Sequence, residues 1–280
     1  MFKTICRITY IILVTLSLSG LTHATIYKNL WSQWAVNNPL SKEIISHQLW
    51  QDFLNRRMVT NNEKINLVDY AHMTPIDLNL LKDYLKNMSQ INIDNYNRAE
   101  QLAYWINVYN ALTVQTVANY YPVSSIQEIN ISPGIFRVGP WGANLITIKN
   151  TALTLDDINN RIIRPIWNEP RTLYTLNNAS IGAPNLSKNA YQGHLIEEQL
   201  NNAAFAYINS LRGVNVIEGR LIISKIYDWY EEDFGGTKPD IITHLLQFAK
   251  EPLQSQLKHV NTIDSYIYNW HLNSPTTNST

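Results

Sequence analysis

Between residues 98 and 120, in RAEQLAYWINVYNALTVQTVANY, apolar side chains recur in nearly every direction round a helical axis. Leu102, Ile106, Tyr109 and Thr113 fall on one face, and Tyr104, Val108, Ala111 and Val114 fall on others. A helix apolar all round is a central one. Asn97 stands at its start with Glu100 three residues later, a capping-box-like pair, and Pro122 ends it.

The same reading places further elements along the chain. Residues 40–54 and 75–88 carry helical periodicity, and NLITIKN reads as a short strand. TLDDINNRII then reads as a helix with Thr154 as N-cap and Asp157 at the third helical position. RTLYTL is an expected strand, and LIEEQLNNAAFAYINSLRG has Leu200, Ala204, Tyr207 and Leu211 at helical spacing before Gly213. RLIIS makes a strand, KIYDWYEEDF an aromatic helix closed by Gly235 and Gly236, and DIITHLLQFA a helix started by Asp240. The predicted class is α+β, predominantly helical with a few short strands, because strands and helices do not alternate as βαβ units. No repeat and no long Gly/Ser or Pro linker divides residues 25–273, so one globular domain is expected there, followed by a frayed tail, NSPTTNST, with 274–280 outside the domain.

Composition supports a packed core and narrows the partners. The chain is 45% hydrophobic and 16% charged, and Lys plus Arg equals Asp plus Glu at 22 each. Neither nucleic acid nor an acidic lipid surface is steered by such a balance, so no nucleic-acid partner is expected. At the start, Lys3 and Arg7 precede ITYIILVTLSLSGL, and Thr22-His23-Ala24 closes on a small residue. Residues 1–24 therefore read as a cleaved signal peptide, which implies export to a periplasm or beyond. The apolar run is short of the roughly 20 residues that cross a bilayer, and no second one follows, so no membrane span is expected in the mature chain. Cys6, the single cysteine, lies inside the signal; the mature chain has no thiol, no disulfide and no thiolate metal site.

Candidate chemistry centres on LNNASIGAPNL, residues 176–186, where small polar residues crowd between two regular elements. NASIG is loosely like a nucleophile elbow, with Ser180 as the hydroxyl and Asn178 where the first Gly would stand. A serine nucleophile needs a base within about 3 Å. Of His47, His72, His194, His244, His259 and His271, no local pattern singles out one, although His194 stands nearest in sequence. The alternative role for Ser180 is a hydrogen bond within a turn. Asn107 and Asn110 sit three apart in the helix expected to be buried, where an unpaired amide group costs roughly 1 to 3 kcal/mol. They either tie that helix to a loop such as NNAS, or line a pocket whose floor is Asn177 to Ser180. Arg171 forks onto a carboxylate or phosphate ligand, or pairs with Glu169 or Asp157. Asp228, Glu231, Glu232 and Asp233 read as a solvated helix face. No H-E-x-x-H, P-loop or Gly-rich dinucleotide loop occurs, so neither a metal nor a cofactor is expected.

Six separated blocks resemble the domain of unknown function 547 family. They are QLAYWINVYNALTV (101–114), YPVSSIQEI (121–129), LTLDDINNRIIRP (153–165), EPRTLYTLNNASIGAPNL (169–186), ISKIYDWYEEDFG (223–235) and YIYNWHLN (266–273). They identify the chain as a divergent, exported bacterial member. The family pattern runs Arg-x-His into Asn-Cys-x-Ser-x-x-Cys-Pro. Here Arg171, Asn177, Ser180 and Pro184 are kept, while Leu173 replaces His, and Asn178 and Ala183 replace the two cysteines. Whatever those thiols and that imidazole do elsewhere, Leu, Asn and Ala supply neither nucleophile nor metal donor. Two readings follow. In one, the chain is a binding module with a degenerate site, taking a small-molecule or protein ligand at Asn107, Asn110, Arg171 and Asn178. In the other, it is a Cys-independent hydrolase or acyl transferase, with Ser180 or an activated water as nucleophile and asparagines such as Asn177 as oxyanion donors.

Overall fold

The computed structural model describes residues 28–134 and 137–275. The expected signal segment, residues 1–24, and all of the expected tail beyond Pro275 lie outside the described residues. The helices are α1 (Gln48–Arg57), α2 (Pro75–Gln90), α3 (Arg98–Tyr120), α4 (Arg164–Trp167), α5 (Ile196–Ile208), α6 (Ile226–Trp229), α7 (Lys238–Phe248) and α8 (Leu253–Leu257). The strands are β1 (Met58–Thr60), β2 (Asn66–Val68), β3 (Ile146–Ile148), β4 (Thr151–Leu153), β5 (Val214–Ile217), β6 (Arg220–Ser224) and β7 (Ser265–Ile267). The fold is α+β and mainly helical, as the sequence predicts.

Strand pairing is local apart from one partner. β1 with β2 and β3 with β4 form antiparallel hairpins, and β5 and β6 pair antiparallel with Val214 opposite Ile223. β7 then adds parallel to β6, placing Tyr266 opposite Ile223. The β3–β4 turn is Lys149-Asn150 and the β5–β6 turn is Glu218-Gly219, all four with positive φ. Two-residue turns of this hand match the twist of their strands, which is how β4 and β5 form beside the two expected strands.

α3 spans the predicted residues and is buried from Glu100 to Val114 without interruption. Its cap differs from the expected reciprocal pair. Asn97 accepts from the N–H groups of Ala99 and Glu100, whereas the Glu100 carboxylate turns away and accepts from Ile45 N–H at 3.1 Å. Thr154 and Asp157 do cap each other, but the segment that follows, Asp157–Ile163, winds as a π-helix. Under α3, Arg56 and Arg57 bind Asp77 at 2.6 Å each and join α1 to α2. Burial pushes the Asp77 carboxyl up, but hydrogen bonds from Arg57, Thr74 and Arg56 outweigh it and hold it far below the usual carboxylate range.

Three expectations change. Residues 40–47 are not helical; their polar groups bind elsewhere, as Ile45 N–H does to Glu100. RTLYTL is not a strand but the end of a 3₁₀ helix, Pro170–Tyr174, because Thr172 and Thr175 hydroxyls bind carbonyls three residues back at 2.8 and 2.6 Å. KIYDWYEEDF breaks at Tyr230 into α6 and a 3₁₀ turn, and Asp233 is not solvated: it is buried against Arg164, whose Nε donates to it at 2.9 Å.

Two apolar clusters result. The larger gathers α1, α2 and the π-helix round α3, with Trp50, Phe53, Leu81, Tyr84, Trp105 and Ile158 among its members. The smaller packs Tyr207, Leu221, Ile223, Tyr227 and Leu245 of α5, β6, α6 and α7. Leu173 and Tyr174 belong to the smaller cluster, and Leu176, Ala179 and Leu186 to the larger. The loop at 176–186 thus starts where one core hands the chain to the other.

Candidate functional site

The two helix asparagines fasten that loop. Asn110 Nδ2 donates to Thr175 O at 2.9 Å while its Oδ1 accepts Asn177 N–H at 2.9 Å. One turn nearer the N-terminus, Asn107 Nδ2 donates to Tyr191 O at 2.8 Å and its Oδ1 accepts Tyr191 N–H at 2.9 Å. Each amide therefore acts as a two-pronged peptide mimic against a segment that has no strand partner of its own. Both side chains are fully buried, so these bonds meet the need that burial creates.

Inside the loop Asn177 does the same work locally. Its Oδ1 accepts Ala179 N–H at 2.9 Å and its Nδ2 donates to Pro184 O at 2.7 Å. The first bond closes an Asx turn and holds Ala179 at φ +60°, a left-handed conformation uncommon for a residue with a Cβ. The segment 269–273 then crosses the loop. Ile181 and Gly182 N–H groups donate to His271 O and Asn269 O at 2.8 Å, and Asn273 N–H donates to Ala179 O at 2.9 Å. The same segment reaches Ser124 O from Leu272 N–H and accepts Val68 N–H at Asn273 O, both at 2.8 Å.

Ser180 is fully buried. Its Oγ lies 2.6 Å from Asn178 Oδ1 and 3.0 Å from Tyr268 Oη, and Asn178 Nδ2 donates to the same Tyr268 oxygen at 2.8 Å. These partners are an amide and a phenol, not an imidazole or a carboxylate. Burial lifts the Tyr268 hydroxyl far above its ordinary range, so at neutral pH it carries its proton and offers no base. His194 is exposed on the turn Gly193–Leu195 before α5 and is not among the partners of Ser180. Leu173 and Ala183, standing where the resemblance puts His and Cys, are buried apolar side chains. Arg171 is engaged: Nε and Nη2 fork onto Glu169 at 2.9 and 2.7 Å, and Nη2 also meets Glu197 at 2.9 Å. The hydrogen bond to Glu169 leads the effects that raise the Arg171 pKa.

Around Tyr268 lies a half-buried aromatic patch. Its ring centroid is 4.8 Å from Trp229 and 4.7 Å from Trp270, and Trp270 is 5.7 Å from Trp141. Burial raises the Tyr109 hydroxyl, with Tyr230, Asp156 and Tyr268 reinforcing the rise. An open groove of about 500 Å³ passes Tyr268, Trp270, Ser124 and Gln127. Sequence reasoning did not reach Tyr268 as the partner of Ser180. The signal available was its place in YIYNWHLN, one of the six blocks. Among the described residues no three His, Cys, Asp or Glu side chains gather to hold a metal ion, and no helix is long and apolar enough to cross a membrane.

Residues 93–208 match the family described as protein of unknown function, DUF547. The matched segment runs from just before α3 to the end of α5, and so contains Asn107, Asn110, Arg171 and the whole loop, while Tyr268, Trp229 and Trp270 fall outside it. No curated protein and no solved structure matches the chain.

Proposed function

We propose that the chain is a binding module for a small-molecule or protein ligand and not a hydrolase working through Ser180. The observation that supports this reading is the set of partners round the Ser180 hydroxyl: Asn178 and a phenol that stays protonated at neutral pH. Without a base the serine oxygen keeps its proton and is a poor nucleophile. Asn177, the expected oxyanion donor, has its Nδ2 on Pro184 O, so it stabilises the loop and not a developing charge. The groove beside Tyr268 and Trp270 is the ligand surface in this reading, since aromatic faces give contact area at little cost in side-chain freedom. A fluorophosphonate probe tests it: the protein is expected to stay unlabelled, and labelling that vanishes in Ser180→Ala would establish the hydrolase instead. Export, read from residues 1–24, belongs to the same proposal; mass spectrometry of the protein recovered outside the cytoplasm should find Thr25 at the N-terminus.

A further inference from the structure

Away from the loop, the chain before α1 and the N-terminal end of α3 enclose a pocket of about 280 Å³. Ile44, Ser46, His47, Gln48, Glu100 and Gln192 line it. Glu100 is 4% exposed, a depth at which carboxylates are normally paired. Its Oε2 accepts Ile45 N–H at 3.1 Å, whereas Oε1 has no hydrogen-bond partner and the carboxylate no ion pair among the described residues. The start of α3 gives it a favourable helix field but no donor for Oε1. Gly193 closes the other side: a Cβ there would come within 2.3 Å of Oε1, so the backbone of that turn is pressed against the carboxylate.

The second wall repeats the pattern. His47 is 6% exposed, and its Nδ1 is 2.8 Å from Tyr84 Oη, while Nε2 is buried with no hydrogen-bond partner among the described residues. Burial pulls His47 down to about 4, so it is neutral near pH 7 and brings no positive charge to the pocket. Gln51 fixes the shape of the pocket, since its Nε2 donates to Lys188 O at 2.9 Å and its Oε1 accepts Ala190 N–H at 2.8 Å. Ile44, 70% exposed, and the exposed Gln192 form the mouth.

We infer that this pocket binds a primary ammonium group carried on a short aliphatic stem, with Glu100 Oε1 as its counter-charge and Ile44 and Ala190 against the stem. An ammonium brings both things the site lacks, a positive charge and N–H donors, in a head small enough for the space. A metal ion is less suited, because one carboxylate and an imidazole already bonded to Tyr84 make a poor donor set. The site shares no residue with the Ser180 loop, so it stands whether or not Ser180 is catalytic.

Calorimetric titration of the protein at about pH 7.5 with n-pentylamine and with 1-pentanol tests the inference, since at that pH the amine is charged and the alcohol is its neutral counterpart. Saturable one-to-one binding of the amine is expected, at least about tenfold tighter than the alcohol, and Glu100→Gln should weaken it by a further tenfold or more. Gln192→Trp, an exposed substitution that blocks the mouth, should do likewise. Equal responses to amine and alcohol overturn the inference, as does undiminished amine affinity in Glu100→Gln. Should Glu100→Gln not fold, undiminished affinity in Gln192→Trp overturns it in the same way.

Discussion

The loop at 177–182 and the pocket at His47 are both built from buried polar side chains, amides, a hydroxyl and a phenol in the loop, an imidazole and a carboxylate in the pocket, but dispose of them oppositely. In the loop, Asn107, Asn110 and Asn177 each have donor and acceptor paired with backbone, and Ser180 is paired with Asn178 and Tyr268. In the pocket, His47 Nε2 is buried without a hydrogen-bond partner and Glu100 Oε1 has no hydrogen bond, both among the described residues. The loop, where sequence motifs draw the eye, is a closed network that fixes shape. The pocket, which no motif marks, is an open one with an unmet need. Buried polar groups point to a ligand when their bonding capacity is unfilled, not merely when their type is reactive.

The largest test of that contrast is Asn110→Ala. It strips Thr175 O and Asn177 N–H of their partner in the buried interior, and about 4 kcal/mol of stability should be lost in urea unfolding. A loss under about 1 kcal/mol would mean that the loop is not held as described. Next comes acid. His47 and His244 are both drawn from 6.5 to about 4, mainly by burial, so the unfolded chain binds their protons first. Their contribution is complete above about pH 6.5 and lost as pH falls toward 4, by up to about 3 kcal/mol for each. His47→Gln and His244→Gln should each flatten one part of that slope, and equal slopes in all three proteins would refute it. Asp77, shifted the other way relative to its charge, holds its contribution until pH falls below its unfolded value of 3.8, so its loss is a separate and more acidic step. The smallest effect is Tyr268→Phe, which removes one hydroxyl from Ser180 and Asn178; about 1 kcal/mol is expected, with no change in amine binding at the pocket.

Periodicity carried the fold far where one mechanism dominates. α3 emerges with its predicted ends because its apolar pattern, Asn97 cap and Pro122 all agree. RTLYTL misleads because two threonines answer their own backbone, a choice that hydrophobic pattern does not register. KIYDWYEEDF looks like one helix, but Arg164 draws Asp233 into the interior from a distance of 69 residues. The need of Asn107 and Asn110 for partners was legible from their type and expected burial. Which groups would meet that need was not, since Tyr191 lies 84 residues from Asn107. His47 is the extreme case: nothing beside it in the chain marks it, and it acquires a meaning only when α2 and α3 bring Tyr84 and Glu100 alongside.

The segment 269–273 touches the β1–β2 hairpin at Val68, the turn at Ser124 and the loop at Ala179 to Gly182. Every one of those segments leaves the ribosome before it does. A chain growing in that order therefore carries its loop on the Asn110 bonds, without the clasp of 269–273, until that later segment emerges. Ribosome-stalled chains stopped before Asn269 should be cut by protease within the loop, and chains with 269–273 free of the ribosome should resist. Assembly here has a direction, and the arrow runs with translation.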